Sequence, residues 1–317
     1  MVCVVGSMNM DLVVRTPRIP TPGETVLGGA YRTFPGGKGA NQAVAASRMG
    51  AAVTLIGCIG TDPHGQKLRA ALEAERLDLS RVITRPDEAT GLALITVTEA
   101  GENTIVVSPG ANATLTAMDI EAAAAAITGA DVLLVQLEVP NAAVVAAVQA
   151  ARAAGVVVIL NAAPARVLGV DVLRSVDVLV VNRPEAAILL GMDPSIDPAR
   201  LTLRLPELGP ATVILTQGAH GAILAHKGRP RRVPSVPVQA IDSVGAGDAF
   251  CGALAASWGP VHAASKARGA DEFKLVELAV IRAAVAGALA TTKPGAMPSL
   301  PYLAEVMPLA ATLRIGA

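Results

Sequence analysis

The stretch Ile241-Asp-Ser-Val-Gly-Ala-Gly-Asp-Ala-Phe250 sets the interpretation of the whole chain. A mostly apolar run, 236–241, leads into it, and an apolar, alanine-rich run, 249–258, leads out of it. This pattern predicts a strand, a glycine loop and a helix. Gly245 and Gly247 let a ligand approach the backbone closely, and the first turn of a helix offers unpaired amide N–H groups to an anion. The sequence therefore predicts an anion site at this turn.

Asp248 is unexpected at an anion site, because a carboxylate repels an anion. Taken alone, it is equally compatible with an acidic residue that only complements the helix dipole. With both glycines and Asp242 six residues earlier, a catalytic role explains it better. We expect Asp248 to take a proton from a hydroxyl group, which then attacks a phosphorus held by the amides of Gly245, Ala246 and Gly247.

The composition indicates a globular α/β protein. The chain has 317 residues, of which 52% are hydrophobic and 16% charged, so it can bury a sizeable core as one large domain or two small ones. The 26 basic and 26 acidic residues leave no net charge, which argues against a nucleic-acid-binding surface. No continuous apolar run approaches the roughly 18 residues of a membrane span.

The three cysteines predict a reducing environment. Cys3, Cys58 and Cys251 lie in apolar runs without paired spacing. We interpret them as reduced core residues, and we expect a cytoplasmic protein without a membrane partner.

Beyond residue 114 the predicted strands alternate with helices. The expected strands are 131–137, 156–160, 176–181, 212–216 and 236–241, and the expected helices are 116–127, 141–154 and 183–190. This alternation predicts βαβ units and a parallel sheet covered on both faces. Residues 2–5 and 53–59 are also predicted strands, with a helix that starts near residue 38 between them and stops at Gly50.

Two segments read as strands without crossover helices. They are residues 12–34, with strands at 12–16 and 24–34, and residues 92–108, a hairpin that turns at 99–102. Residues 259–271 are polar and irregular, and we expect a surface loop there.

Polar residues follow five of the predicted strands. They are Glu138, Asn161, Asn182, Thr216 and Asp242. Any one of them could simply begin a loop. Ligands of open parallel sheets bind outside the carboxyl ends of the strands, so the five together predict a binding site at one edge.

The chain resembles the ribokinase-like carbohydrate kinases over nearly its whole length. Eight segments match that family in order: Gly6-Ser-Met-Asn-Met-Asp11, Pro22-Gly-Glu-Thr25, Gly36-Gly-Lys-Gly-Ala-Asn-Gln-Ala43, Gln136-Leu-Glu138, Asn161-Ala-Ala-Pro-Ala165, Asn182-Arg-Pro-Glu185, Asp242-Ser-Val-Gly-Ala-Gly-Asp248 and Gly295-Ala-Met-Pro-Ser299. A lone Gly-Gly-Lys-Gly would be weak evidence, but eight ordered matches are strong.

The resemblance implies an α/β fold: a three-layer sandwich with a mostly parallel central sheet and a small β-sheet lid. Residues 1–11, 35–91 and 108–317 are expected to form the kinase domain, and residues 12–34 and 92–107 the lid. A homodimer joined through the lids is implied as well.

The resemblance also assigns a sugar site. Its residues are Asn9, Asp11, Gly37, Lys38, Asn41 and Glu138. The carboxylates accept hydrogen bonds from hydroxyl groups, and the asparagines donate and accept, which suits a polyol. In isolation, Lys38 would be a surface lysine and Asp11 a turn residue.

The implied nucleotide and metal sites use a further set of residues. ATP is expected at Asn182, Thr216, Gly218, Gly221, Gly247 and Ala284. Glu185 is expected to hold Mg²⁺ mostly through waters, although a glutamate in the first turn of a helix has the same appearance. A monovalent cation, K⁺, is expected at Asp242, Val244, Ala290, Lys293, Gly295 and Ser299.

The implied activity is ATP-dependent phosphorylation of the 5-hydroxyl of D-ribose, with Asp248 as the base. A kinase of 2-deoxyribose, fructose or a nucleoside is the alternative. A non-catalytic sugar sensor would have a damaged glycine turn or no base, and both are intact. A dinucleotide dehydrogenase would have a Gly-x-Gly-x-x-Gly turn after the first strand, where this chain has Gly6-Ser-Met-Asn-Met-Asp11.

Overall fold

The computed structural model describes residues 1–98, 102–265 and 271–313. Within them, thirteen strands form a nine-stranded sheet and a four-stranded sheet. In chain order the strands are β1 (Val2–Val5), β2 (Asn9–Thr16), β3 (Arg32–Gly36), β4 (Val53–Gly60), β5 (Asp78–Arg85), β6 (Gly91–Thr98), β7 (Asn103–Ser108), β8 (Val132–Gln136), β9 (Val157–Asn161), β10 (Val178–Asn182), β11 (Thr212–Thr216), β12 (Ala222–His226) and β13 (Arg229–Val233).

Eleven α-helices lie in the same described ranges. They are α1 (Lys38–Arg48), α2 (Pro63–Ala74), α3 (Ala117–Ala122), α4 (Ala124–Thr128), α5 (Asn141–Ala153), α6 (Val170–Arg174), α7 (Arg183–Leu190), α8 (Pro198–Arg204), α9 (Ala246–Ser265), α10 (Glu272–Ala290) and α11 (Leu303–Thr312). Short 3₁₀ turns lie at Gly110–Thr114, Leu205–Leu208, Gly218–His220 and Met297–Ser299.

The large sheet is mostly parallel, as predicted. Its strand order is β13-β12-β11-β10-β9-β8-β1-β4-β5, and all neighbours from β11 to β5 run parallel. Among the described strands of this large sheet, only β12 and β13 pair in an antiparallel manner, β12 with β11 and β13 with β12. Strands β8 to β11 are sequential in the chain and adjacent in space, which follows from the βαβ alternation.

The core has two halves, one on each face of the large sheet. In β1, Val2 and Val4 belong to the half that contains α1, α9 and α10, whereas Cys3 and Val5 belong to the half that contains α5. Because successive side chains of a strand point to opposite faces, a strand covered on both sides must be apolar throughout. This confirms the three-layer architecture.

Small residues let two helices approach closely beneath the site. A side chain on Gly252 of α9 would overlap the Cβ of Ala45 and the carbonyl of Gln42 in α1. The absence of a side chain at Gly252 therefore allows the start of α9 to lie against α1, and this contact places Asp248 beside Asn41 and Gln42.

The small sheet has the order β3-β2-β6-β7, and it is mixed. β2 and β6 are parallel, and the pairs β2–β3 and β6–β7 are antiparallel. The predicted hairpin of β6 and β7 is confirmed, although its turn residues 99–101 lie outside the described residues. The sheet takes in Asn9 and Gly36, just outside the expected lid, and the division into kinase domain and lid stays a prediction.

The predicted strand at 236–241 is wrong. These residues form no strand, so Asp242 does not end one. Pro234 and Pro237 lack the amide hydrogens of a central strand, and the amides of Ile241 and Asp242 donate to the carbonyl of Thr291 instead. The hairpin of β12 and β13, which the sequence analysis missed, extends the sheet beyond β11.

Three other boundaries differ from expectation. Only residues 32–34 of the predicted strand 24–34 belong to a strand, β3, and the predicted helix 116–127 is divided into α3 and α4 at Ala123. The expected loop 259–271 is wrong in its first half, since α9 continues to Ser265 and buries Trp258 and Val261 on one side. Residues 266–270 of that loop lie outside the described residues.

The three cysteines are buried and unpaired, as expected of core residues. In the described parts of the chain, no helix is both long and apolar enough to span a bilayer.

Candidate active site

The carboxyl ends of four parallel strands meet at one edge of the large sheet. In the register, Gln136 at the end of β8 lies opposite Asn161 of β9, and Asn182 at the end of β10 lies opposite Thr216 of β11. Glu138 follows β8 by two residues. Four of the five predicted strand-end residues are therefore on one edge, and Asp242 is the exception.

Asp248 lies in the first turn of α9 and is 8% exposed. Asn41 Nδ2 donates to its Oδ2 (2.9 Å), and Gln42 Nε2 donates to its Oδ1 (2.9 Å). Burial raises the pKa of Asp248, while the charge of Lys38 and the hydrogen bonds from Gln42 and Asn41 lower it. Burial therefore makes the Asp248 carboxylate more basic, while the hydrogen bonds that it accepts stabilise its ionised form.

Lys38, at the start of α1, is the positive charge among the surrounding carboxylates. Burial lowers the pKa of its ammonium group, but the negative charges of Asp248, Glu138 and Glu185 outweigh burial, and the pKa is raised. Lys38 therefore stays protonated at neutral pH. Its backbone follows Gly37, which has a φ of +90°.

Asp11 lies on β2 and is 7% exposed. Burial and the charges of Asp248 and Glu138 raise its pKa to about 7, against the opposing effect of Lys38. These charges interact because Asp11, Lys38, Glu138 and Asp248 converge from four separate elements. The structure thus brings the predicted base and three predicted sugar-site residues into one cluster.

Glu138 and Asn9 are held by residues that the sequence analysis did not select. Ser7 Oγ donates to Glu138 Oε2 (2.6 Å), and the Lys38 amide donates to the same oxygen (3.2 Å). Asn112 Nδ2 donates to Asn9 Oδ1 (2.8 Å), so the side-chain oxygen of Asn9 is already engaged. Ser7 lies within a quoted motif, whereas nothing in the sequence around Asn112 marks it.

The glycine turn is open to solvent on one side. Gly245 has a φ of +81°, and a Cβ there would lie 2.9 Å from the Cα of Ala296. Gly247 is exposed, and a Cβ there would meet no atom within 4 Å. The Ala246 amide donates to the Ser243 carbonyl (3.3 Å), but those of Gly245 and Gly247 donate to no acceptor within the described ranges. Two amides without a protein acceptor therefore lie in the turn that leads into Asp248.

Asp242 ties this turn to the segment that follows α10. Its Oδ1 accepts from the Val244 amide (3.0 Å), and its Oδ2 accepts from the Gly295 amide (2.8 Å). Ala290 is buried, and Ser299 Oγ is buried and donates to the Ala296 carbonyl (2.8 Å). Lys293 is exposed and forms an ion pair with Glu305 (2.9 Å), so its side chain is directed to the surface. Of the predicted cation set, Asp242, Val244 and Gly295 are thus linked directly.

Four of the six predicted nucleotide residues lie at the carboxyl ends of β10 and β11, whereas Gly247 is on α9 and Ala284 on α10. Asn182 and Glu185 form a capping box at the start of α7, in which the Asn182 amide donates to Glu185 Oε2 (2.7 Å). Thr216 ends β11, and Gly218 and Gly221 form the turn after it. Ala284 is a buried core residue of α10, 5% exposed. The assignment of these residues to a nucleotide stays a prediction.

A cavity of about 550 Å³ lies between the small sheet and two loops, residues 240–244 and 294–296. Asp11, Arg15 and Arg32 line it from the sheet, and Asp242 and Gly295 line it from the loops. It is large enough for a monosaccharide, and it reaches the charge cluster at Asp11.

Comparison with known proteins identifies the family. The model of the pfkB family of carbohydrate kinases matches residues 1–303. The chain belongs to the pfkB family. It is 39% identical to the ribokinase of Haemophilus influenzae over 306 residues, which is 96% of each chain. It is 35% identical to the deoxyribokinase of Salmonella typhimurium over 271 residues, 84% of this chain and 89% of that one.

A solved structure agrees with this pfkB-family assignment. The Arabidopsis thaliana ribokinase complexed with ribose and ATP superimposes with a TM-score of 0.83, at 29% identity, over 98% of both chains. The predicted family and fold class are therefore confirmed, and the chain is a carbohydrate kinase.

Metal ligands are sparse at this pfkB-family site. Within residues 1–98, 102–265 and 271–313, no group of three or more His, Cys, Asp or Glu side chains is arranged to hold a metal ion. A divalent ion at Glu185 would therefore depend on waters and on the phosphates of a bound nucleotide, which suits Mg²⁺.

Proposed function

We propose that this pfkB-family chain transfers the γ-phosphoryl group of ATP to the 5-hydroxyl of D-ribose. The observation that carries the proposal is the buried Asp248 carboxylate, which lies beside the open glycine turn and in one charge cluster with Asp11 and Lys38. The ribokinase relatives, one of them solved with ribose and ATP, support the choice of substrates.

The proposed chemistry begins with Asp248 as the general base. Its carboxylate takes the proton of the primary hydroxyl as the hydroxyl oxygen bonds to the γ-phosphorus, and the bond from phosphorus to the β–γ bridging oxygen breaks to release ADP. The amides of Gly245, Ala246 and Gly247 stabilise the charge on the transferring group. Preorganised donors of this kind can contribute roughly 3 kcal/mol each. The Ala246 amide must first leave the Ser243 carbonyl.

The sugar is proposed to bind through Asn9, Asp11, Gly37, Lys38, Asn41 and Glu138. Asp11 and Glu138 accept hydrogen bonds from the hydroxyl groups, and Asn9 donates, because Asn112 already occupies its oxygen. Lys38 donates to the sugar and offsets the negative charge of the surrounding carboxylates.

Sugar binding should weaken at acidic pH because of Asp11. Its pKa is raised to about 7, so the carboxylate is protonated below that pH and loses acceptor capacity. The ionised fraction falls about tenfold between pH 8 and pH 6, and we expect the KM for ribose to rise by about that factor. Initial rates at varied ribose measure it. The Asp11→Asn variant should have a high KM that does not change with pH, and an equally flat wild-type KM would contradict the assignment.

The nucleotide is proposed to bind along the edge formed by Asn182, Thr216, Gly218, Gly221, Gly247 and Ala284. Mg²⁺, when bound, would offset the negative charge of the nucleotide phosphates. Glu185 fits such an ion because one of its oxygens is free of the capping box. Burial raises the pKa of its carboxyl group, whereas the Asn182 amide and the charge of Lys38 lower it.

Replacing Glu185 by Gln separates its charge from its capping role. Glutamine also satisfies a capping box, so we expect little change in the melting temperature. The Mg²⁺ concentration for half-maximal rate should rise about tenfold or more, as the carboxylate is lost. Rates at fixed ATP and varied Mg²⁺ measure it. An unchanged Mg²⁺ requirement would show that Glu185 is only a helix-capping residue.

A monovalent cation, K⁺, is proposed at Asp242, Val244, Ala290, Lys293, Gly295 and Ser299. Carbonyl oxygens and the remaining lone pairs of Asp242 supply the oxygen ligands, whereas the side chains of Lys293 and Ser299 are engaged elsewhere. Equal rates in potassium and lithium salts would contradict a cation requirement.

A homodimer through the small sheet is proposed as well. Strand β7 is exposed along its length, with Ile105 49%, Val106 66% and Val107 44% exposed, and a second copy would cover these apolar side chains. Sedimentation of the protein as a monomer at all micromolar concentrations would contradict this. The cytoplasmic location stays a prediction.

Kinases of 2-deoxyribose, fructose or a nucleoside remain the alternative, and the deoxyribokinase relative at 35% identity favours the first of these. A panel of ribose, deoxyribose, fructose, adenosine and pseudouridine with ATP and Mg²⁺ distinguishes them. We expect the highest kcat/KM for ribose, by about tenfold or more over deoxyribose, because a site that bonds the 2-hydroxyl rejects a sugar that lacks it. A higher value for any other member would replace ribose as the substrate.

A further inference from the structure

The side chain of Gln42 is fully buried directly behind Asp248, on the second turn of α1. Its Nε2 donates to Asp248 Oδ1 (2.9 Å) and to Asn161 Oδ1 (3.0 Å). Its Oε1 accepts from Gln136 Nε2 (2.6 Å). Both amide hydrogens and the amide oxygen are therefore used, and the side chain does not line the cavity beside the small sheet.

The orientation of these amides is fixed from one end by the backbone. Asn161 Nδ2 donates to the Val180 carbonyl (3.3 Å), which can only accept, so Asn161 Oδ1 must face Gln42. Gln42 must then present its NH₂ group to Asn161 and Asp248, and its oxygen to Gln136. A flipped Gln42 amide would place its oxygen against two acceptor oxygens.

An unsatisfied group marks the cost of this arrangement. Gln136 Oε1 is buried and has no hydrogen-bond partner within the described residues. A buried polar atom without a partner costs on the order of 1–3 kcal/mol. The side-chain amides of Gln136, Gln42 and Asn161 thus share one fixed direction from donor to acceptor, and one oxygen is left without a partner. This direction points the NH₂ group of Gln42 at Asp248.

We infer that Gln42 is a positioning residue, which holds the Asp248 carboxylate by Oδ1 and thereby directs Oδ2 toward the substrate hydroxyl. The catalytic part of this inference, that Oδ2 is directed toward a substrate hydroxyl, rests on the proposed function. Asn41 donates to Oδ2 and belongs to the proposed sugar site, so its contact can be exchanged when sugar binds. The contact of Gln42 is remote from the cavity and persists. Gln42 itself touches neither sugar nor nucleotide.

The same hydrogen bond affects the protonation of the base. A donor stabilises the ionised carboxylate, so its loss should raise the pKa of Asp248. The other titratable groups around Asp248 are Lys38 on α1, Glu138 after β8, Asp11 on β2 and the Cys251 thiol on α9 itself. The substitution Gln42→Leu leaves all of them in place and removes the donor at nearly constant volume.

The test is a ¹³C NMR titration of the full chain labelled at aspartate carboxyl carbons, with Asp248 assigned by its disappearance in Asp248→Asn. We expect the titration midpoint of Asp248 to be about one pH unit or more higher in Gln42→Leu than in the wild type, since a hydrogen bond to a charged group is involved. The matched control is Gln66→Leu, because Gln66 is an exposed glutamine on α2 whose Nε2 donates only to the Thr61 carbonyl (3.2 Å). It should leave the midpoint unchanged.

Equal midpoints in the wild type and Gln42→Leu overturn the inference. If Gln42→Leu does not fold, the isosteric Gln42→Glu replaces it. The carboxylate of this variant should raise the titration midpoint of Asp248 above that of the wild type. An unchanged midpoint in Gln42→Glu also overturns the inference.

Activity provides a separate readout. If the wild type phosphorylates a sugar, the acid limb of its kcat profile should move to higher pH by the same shift. If the wild type phosphorylates none, the proposed function fails while the titration still decides the role of Gln42.

Discussion

Asp248→Asn should lower kcat by about 1,000-fold, in the range expected for loss of a general base. Asparagine keeps the shape, and its oxygen still accepts from Gln42 Nε2. Its NH₂ group faces Asn41, whose amide must turn so that its own oxygen, which has no partner among the described residues, accepts the bond. Asparagine at this position cannot take a proton from the sugar. The KM values for ribose and ATP should change by less than about threefold, because the base contributes to the transition state and not to ground-state binding. A coupled ADP-release assay measures the loss.

The change in stability should be small, within about 1 kcal/mol, because once the Asn41 amide has turned no more buried groups lack a partner than in the wild type. The matched control is Asp271→Asn. Asp271 is also an aspartate at a helix start, where its Oδ1 accepts from the Lys274 amide (3.2 Å), and asparagine caps helices equally well. If Asp248 merely complemented the dipole of α9, both variants would retain near-normal turnover, and Asp248 would lose its proposed role.

Gly247→Val should lower kcat/KM by about 100-fold or more, because its side chain would keep the phosphoryl group away from the amides that are proposed to stabilise it. A side chain at Gly247 meets no protein atom within 4 Å of its Cβ, so the fold can accept it. It would, however, occupy the space above the free amides, where the phosphoryl group is proposed to bind. The expected result is an inactive protein with an unchanged or slightly higher melting temperature, because valine restricts the unfolded chain more than glycine does.

Two other glycines serve as comparisons. Gly169 at the start of α6 is also exposed and has a φ of −59°, and a Cβ there would meet no atom within 4 Å, so Gly169→Val should retain activity. Gly245→Ala, unlike Gly247→Val, should destabilise the fold by roughly 1 kcal/mol or more. Gly245 has a φ of +81°, and its Cβ would lie close to the Ala296 Cα. Full activity of Gly247→Val would contradict a phosphoryl site at this turn.

The sequence predicted the sheet and the edge that carries the site because both depend on local patterns. The apolar runs 132–135 and 157–160 are buried on both faces, and each is followed by a polar residue at the carboxyl end of its strand, Gln136 and Asn161. Register then brings Glu138, Asn161 and Asn182 to one edge without further information.

The errors occurred where long-range contacts override a local pattern. Residues 236–241 are apolar enough for a strand, but Pro234 and Pro237 cannot complete a ladder, and the β12–β13 hairpin extends that side of the sheet. Helix α9 continues past residue 259 because burial of Trp258 and Val261 stabilises it.

The support of the site was harder to predict than the site itself. Gln42 follows Asn41 in a quoted motif, yet its partner Asp248 is 206 residues away in the sequence. Asn112 bonds to Asn9 across 103 residues, and nothing local indicates that pairing. Residues that touch ligands can be found by chemical type, whereas residues that hold them in place are visible only once the chain is folded.

The most direct test of the central claim is ³¹P NMR of the product formed from D-ribose, ATP and Mg²⁺ by the wild-type protein. We predict a phosphate monoester that appears in equal amount with ADP and is split by the two protons on carbon 5. ADP release with free phosphate and no ester, or an ester on another carbon, would contradict a kinase in which Asp248 activates the primary hydroxyl of ribose.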